Sequence, residues 1–255
     1  ALAASYGRHS GVFGSEGVER IDPLGFKGRK ASGHPGGRCA YLDASLNPQW
    51  DFQKFSYTYR VWGRLLYNPD TNPEVWNRFL RGKFGEAGEA LGVALANSSR
   101  VVHLMTTAHG EATDCTRYWP EIYMNMPIVT ESDDITFRDN FPPRIFGNVS
   151  PHDPQIFGKM NDFAASLLKG ETEAKYSPLN VAQWLEDLAD TATRNLTLAE
   201  SRVADAGDAE FRRFYHDIKI QCGLARFFSG KIRAGVLWHL YQESDDATAI
   251  VEAIT

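Results

Sequence analysis

The chain has 255 residues, of which 43% are hydrophobic and 23% charged, and a net charge of −5. That length can bury a sizeable core in one large or two modest domains, and the balance is that of a folded protein rather than a disordered one. The negative charge without any Lys/Arg cluster excludes a nucleic-acid surface, and no apolar run reaches the roughly 18 residues that a membrane span requires.

Nine of the 22 glycines lie between Gly7 and Gly37, and residues 1–50 show no steady apolar period. They read as one irregular segment, ordered only when another domain covers it. Its start, without an initiator Met or an apolar leader, is read as an excised or processed piece of something longer. Glu19, set among glycines that let the backbone turn tightly, is a candidate acid.

Helices follow, and residues 51–255 read as one helical domain. In residues 51–70, Phe52, Phe55, Tyr59, Trp62 and Leu66 recur at helical spacing, with Lys54, Arg60 and Arg64 on the other face. The stripe predicts core packing. It also predicts a rigid support on which the Arg60 guanidinium can grip a carboxylate or sugar hydroxyls in a fixed fork. Asn68-Pro69 ends this helix, and Asn72-Pro73-Glu74 opens the next, which Gly85 closes. A further helix is expected from Glu86 to about Ala108.

Between His103 and Asn148 the pattern is lost again. This window carries His103, His109, Tyr118, Trp119, Glu121, Tyr123 and Asn125, and its prolines interrupt any long helix. Loops of this composition line pockets, because rigid scaffolds present function on connecting segments. Beyond Ser150 helices resume, opened by Asp153-Pro154, Ser177-Pro178, Asp208 and Asp245 or Asp246. The expected fold is mainly α, an antiparallel helical bundle preceded by the glycine-rich segment.

Cofactor and metal signals are weak. His103 and His109, six apart and followed by Asp114 and Cys115, fit no usual ligand spacing, so no metal is expected. No phosphate-binding or dinucleotide fingerprint occurs, so no cofactor is expected either.

The run Tyr59-Arg60-Val61-Trp62-Gly63-Arg64-Leu65-Leu66-Tyr67-Asn68-Pro69-Asp70, continued by Trp76-Asn77-Arg78 and Lys83-Phe84-Gly85, resembles the helix after the last barrel strand in xylan-type α-glucuronidases and related glycoside hydrolases. In such enzymes a (β/α)₈ barrel carries the acid and base, and a C-terminal helical domain packs on it and contributes to the active-site rim. The resemblance implies that residues 1–50 are the tail of a barrel, that the partners are a poly- or oligosaccharide and an upstream barrel domain or chain, and that the location is periplasmic or extracellular. It covers residues 57–85, and a homo-oligomer is also compatible with it.

The function expected on these grounds is glycoside hydrolysis on a complex or acidic polysaccharide. Glu19 and Glu121 are the candidate acids, a reading that rests on their settings. Arg60, Trp62, His103, His109, Tyr118, Trp119, Tyr123 and Asn125 are the candidate sugar contacts, because flat rings stack on pyranose faces while polar side chains bond hydroxyls. The rival reading is a non-catalytic helical module for oligomerisation or glycan binding.

Overall fold

The structure is a computed structural model, and it describes residues 2–17, 41–109, 126–130 and 145–254. The described chain is helical, with α1 (Leu2–Val12), α2 (Ser56–Tyr67), α3 (Glu74–Phe84), α4 (Ala87–Ser98), α5 (Val101–Ala108), α6 (Met160–Lys169), α7 (Pro178–Arg202), α8 (Ala209–Ser244) and α9 (Ala247–Ile254). No strand forms among the described residues beyond a single bridge between Phe157 and Tyr176. None of the described helices is long and apolar enough to cross a membrane.

The chain divides into two compact units, Ala1–Val93 with Asn195–Asp217, and Ala94–Arg194 with Ile218–Thr255. In the first unit α1 packs on α2 through Ala3, Ala4 and Leu65, flanked by Val61, Trp62 and Trp76. The contact is close: a Cβ on Gly7 would lie 2.6 Å from the Leu65 carbonyl oxygen. Helix α1 corrects the expectation of an irregular start, and apart from Tyr6 its interface is made of alanine and glycine, which leave no large-apolar period to read.

Helix α2 is also shifted in phase. Residues Asp51–Phe55 form a 3₁₀ turn, in which the Trp50 N–H donates to Gln53 Oε1 at 3.0 Å, so the α-helical register begins only at Ser56. The buried face is therefore Val61, Trp62 and Leu65, while Phe52 stays 55% exposed. On its other side α2 joins an aromatic cluster. Tyr57 stacks on Phe79 of α3 at 6.4 Å and meets Phe214 of α8 edge-on at 6.2 Å, and Phe84 packs on Phe211 and Phe214. Each buried ring contributes roughly 1.5–3 kcal/mol, so these few residues carry much of the unit's core.

The Lys54 amine ties residue Tyr41 to α8, donating to the Tyr41 hydroxyl at 2.7 Å and to both Asp217 carboxylate oxygens at 3.0 Å. Burial alone would lower the lysine, but Asp217 and the Tyr41 hydroxyl outweigh it and hold its pKa above the usual value.

In the second unit α7 and α8 run antiparallel, because contacts climb one helix as they descend the other. The Cys222 thiol donates to the Ala189 carbonyl at 3.6 Å, Ser229 Oγ donates to Glu186 Oε1 at 2.5 Å, and Arg233 grips both Glu186 oxygens at 3.0 and 3.1 Å. The Arg233 and Ser229 hydrogen bonds hold the Glu186 carboxyl below its usual range.

Two helix boundaries differ from expectation. The helix foreseen over residues 86–108 is broken between α4 and α5, where Ser98 and Ser99 turn their hydroxyls back onto the Leu95 and Ala96 carbonyls. Serine offers the backbone that alternative, which is why it is a poor helix interior residue. Asp153-Pro154 opens only one turn: the Phe157 N–H closes on the Asp153 carbonyl at 3.0 Å, after which the Gly158 N–H donates to Tyr176. Helix α6 starts later, at Met160. The other starts stand as read, with Asn72, Ser177, Asp208 and Asp246 side chains accepting from helix N–H groups.

Candidate functional site

In the second unit, Val101, Met105 and Ala108 form the buried stripe of α5, which delivers His109 to the interior as the capping residue after the helix. The His109 ring lies 4.0 Å, centroid to centroid, from that of Phe146, which is fully buried in a 3₁₀ turn, Phe146–Asn148. The turn is fixed in place by the Phe146 N–H, which donates to the Pro127 carbonyl at 2.9 Å. Helix α8 brings the Lys231 amine 4.7 Å from the centre of the Phe146 ring and 5.6 Å from that of Phe227. Such a cation over an aromatic face is attracted by the ring's quadrupole.

Just over two turns further along α8, His239 is buried against the next residue of the 3₁₀ turn. A Cβ at Gly147 would stand 2.1 Å from His239 Nε2, so only glycine lets these two segments approach this closely. That nitrogen has no hydrogen-bond partner among the described residues.

Burial decides the protonation states here. It pushes His109 down to about 3, with the Lys231 charge acting in the same sense. Burial also lowers Lys231, to about 8, and lowers His239. At neutral pH His109 is thus an uncharged imidazole that can exchange hydrogen bonds but holds no proton to give as an acid. A small cavity of about 10 Å³ adjoins it, bounded by His109, Pro151, Lys159, Met160, Val181 and Ile232. That is room for about one water, and among the described residues its lining holds no carboxylate.

The first unit offers a different surface. Arg60 is exposed on α2 and lays its guanidinium over the Phe79 ring, with Cζ 4.2 Å from the centroid. Trp62 faces the opposite way, packing on Tyr6 of α1 at 5.7 Å. Its ring is thus engaged in holding α1.

Of the residues foreseen as sugar contacts, Arg60 and Trp62 belong to the first unit and His103 and His109 to the second. His103 is exposed on α5, in contrast to buried His109. Glu19, Tyr118, Trp119, Glu121, Tyr123 and Asn125 lie outside the described residues, as do Asp114 and Cys115. Among the described residues no three His, Cys, Asp or Glu side chains gather as a metal site would require. The sequence reading did not single out Phe146, Gly147, Lys231 or His239. One signal was available, a histidine in phase with the buried stripe Ile232, Val236 and His239 of α8.

No family model and no curated protein matches the chain. Among solved structures it is similar to part of a GH138 enzyme targeting pectin rhamnogalacturonan II, with a TM-score of 0.60 and 15% identity. The likeness covers 80% of this chain and 23% of that one. The chain therefore has a helical fold that occurs within a glycoside hydrolase. The finding supports the broad resemblance to glycoside hydrolases and does not single out xylan-type α-glucuronidases.

Proposed function

We propose that this chain is the helical part of a glycoside hydrolase acting on a complex, acid-bearing polysaccharide, and that it supplies residues to the rim of an active site completed by a barrel domain or chain. The observation that carries the reading is the fold shared with part of a pectin-targeting enzyme over 80% of the chain. In this reading the exposed side chains of Arg60 and His103, together with Tyr118, Trp119, Tyr123 and Asn125, meet sugar. Trp62 acts from beneath as a support of α1, and His109 as a buried packing group against Phe146. A periplasmic or extracellular location belongs to the same proposal, since such substrates are met outside the cytoplasm.

Glu19 and Glu121 are the proposed acid and base, because hydrolysis of a glycosidic bond calls for two carboxyl groups at one cleft. In the complete enzyme with an oligosaccharide substrate, Glu121→Gln should lower turnover about a hundredfold or more and leave the melting temperature nearly unchanged. A structural carboxylate would instead show as a lowered melting temperature with activity scaling to the folded fraction. Unchanged turnover in both Glu19→Gln and Glu121→Gln would remove these residues from the chemistry. The second reading, a non-catalytic glycan-binding or oligomerisation module, would then lead, and it is favoured by the match spanning only 23% of the neighbouring enzyme.

A further inference from the structure

Helices α2 and α3 carry a cationic surface that the acid and base assignments leave unused. The Arg60 guanidinium lies over Phe79 at 4.2 Å, and Lys83, one turn beyond Phe79 on α3, brings its amine to 5.8 Å from the same ring centre. Arg64 follows Arg60 by one turn on the same strip of α2 and is likewise exposed. The ring beneath them is held firmly: Tyr57 lies nearly parallel to Phe79, at 18°, and is itself braced edge-on by Phe214.

Several other cations of the first unit are held in ion pairs. Arg8 pairs with Asp70, Lys54 with Asp217, Arg81 with Glu74 and Lys83 with Glu210. Arg60 makes no ion pair or hydrogen bond among the described residues and is exposed, and its guanidinium carries five N–H donors. A guanidinium stacked on a ring keeps its donor edge free in its own plane. That edge matches the two oxygens of a carboxylate, and the ring has already removed much of the side chain's freedom.

We propose that Arg60, with Lys83 beside it on the Phe79 ring, forms a binding site for the carboxylate of an acidic sugar residue. The site lies on the helical surface of the first unit and holds a charged part of the glycan in place. It rests on the reading of this chain as part of an enzyme for acid-bearing polysaccharides. A bound carboxylate competes with Glu210 for the Lys83 amine, so Arg60 provides the larger share of the grip.

The test titrates the full chain with a trimer of galacturonic acid and with its fully methyl-esterified form, which has the same rings without the charge. The acid should bind about tenfold or more tightly than the ester, with an advantage that fades as salt rises. Arg60→Gln should abolish that preference while circular dichroism shows unchanged helix content, and Arg60→Lys, which keeps the charge but loses the fork, should retain only part of it. Equal affinity for acid and ester in the wild type, or a preference that survives Arg60→Gln, would overturn the site. Either of those results would leave the glycan reading standing, whereas no saturation with either trimer would overturn both.

Discussion

Gly147→Ala is expected to lower the melting temperature by roughly 10 °C, a loss of about 3 kcal/mol in a chain of this size. The new methyl group would be placed 2.1 Å from His239 Nε2 and 2.5 Å from its Cδ2, well inside contact distance. Neither side can yield easily. His239 is 6% exposed and Phe146, the residue before Gly147, is fully buried. Close-packed interiors pass such strain to their neighbours instead of absorbing it, so the 3₁₀ turn and α8 would be driven apart together. A second substitution checks the cause. His239→Ala costs stability alone by opening a cavity, yet in the presence of Gly147→Ala it should restore part of the loss, giving a coupling of about 1 kcal/mol or more. Additive losses in thermal melts of the two single variants and the double variant would show that the clash is not where the damage arises.

Acidification should destabilise the same unit before the carboxylates titrate. An unfolded histidine takes up a proton near pH 6.5, whereas buried His109 holds out to about 3. Between those values the unfolded state binds the extra proton, so this contribution to stability is complete above pH 6.5 and is lost as pH falls toward 3. The slope from one such group reaches about 1.4 kcal/mol per pH unit. His239, lowered by burial, acts in the same direction. Denaturant unfolding at pH 7 and pH 5 reads the two histidines together, with Glu186 held low by its hydrogen bonds to Arg233 and Ser229. His109→Gln removes the titrating group and should flatten the dependence by about one proton. An unchanged slope in that variant would mean that His109 opens to water in the native protein.

What the sequence revealed follows the range of the forces involved. Helix starts at Asn72, Ser177, Asp208 and Asp246 were legible because a cap is a local hydrogen bond between residues a few positions apart. Helix α1 was hidden, since its packing surface is Ala3, Ala4 and Gly7 with a single large ring, Tyr6, and so shows no apolar period. The phase of α2 was misread for another reason: a 3₁₀ turn at Asp51–Phe55 delays the helix and so shifts which residues face inward.

The site divides in the same way. Arg60 could be singled out from one helix, because its neighbours on α2 determine that it stands on a rigid support. The surroundings of His109 could not, since Phe146 and Lys231 reach it from positions 37 and 122 residues further along the chain. No periodicity reports contacts of that range. The aromatic and acidic residues on which the catalytic proposal leans, Trp119 and Glu121 among them, fall outside the described residues.

The central claim is that this helical chain meets a complex polysaccharide, and calorimetric titration with oligosaccharides released from pectin rhamnogalacturonan II tests it most directly. The account predicts saturable binding with a measurable heat and a change in tryptophan fluorescence, as rings and guanidinium groups lose water to sugar. The absence of saturation at about millimolar oligosaccharide, an affinity weaker than roughly −4 kcal/mol, would contradict it.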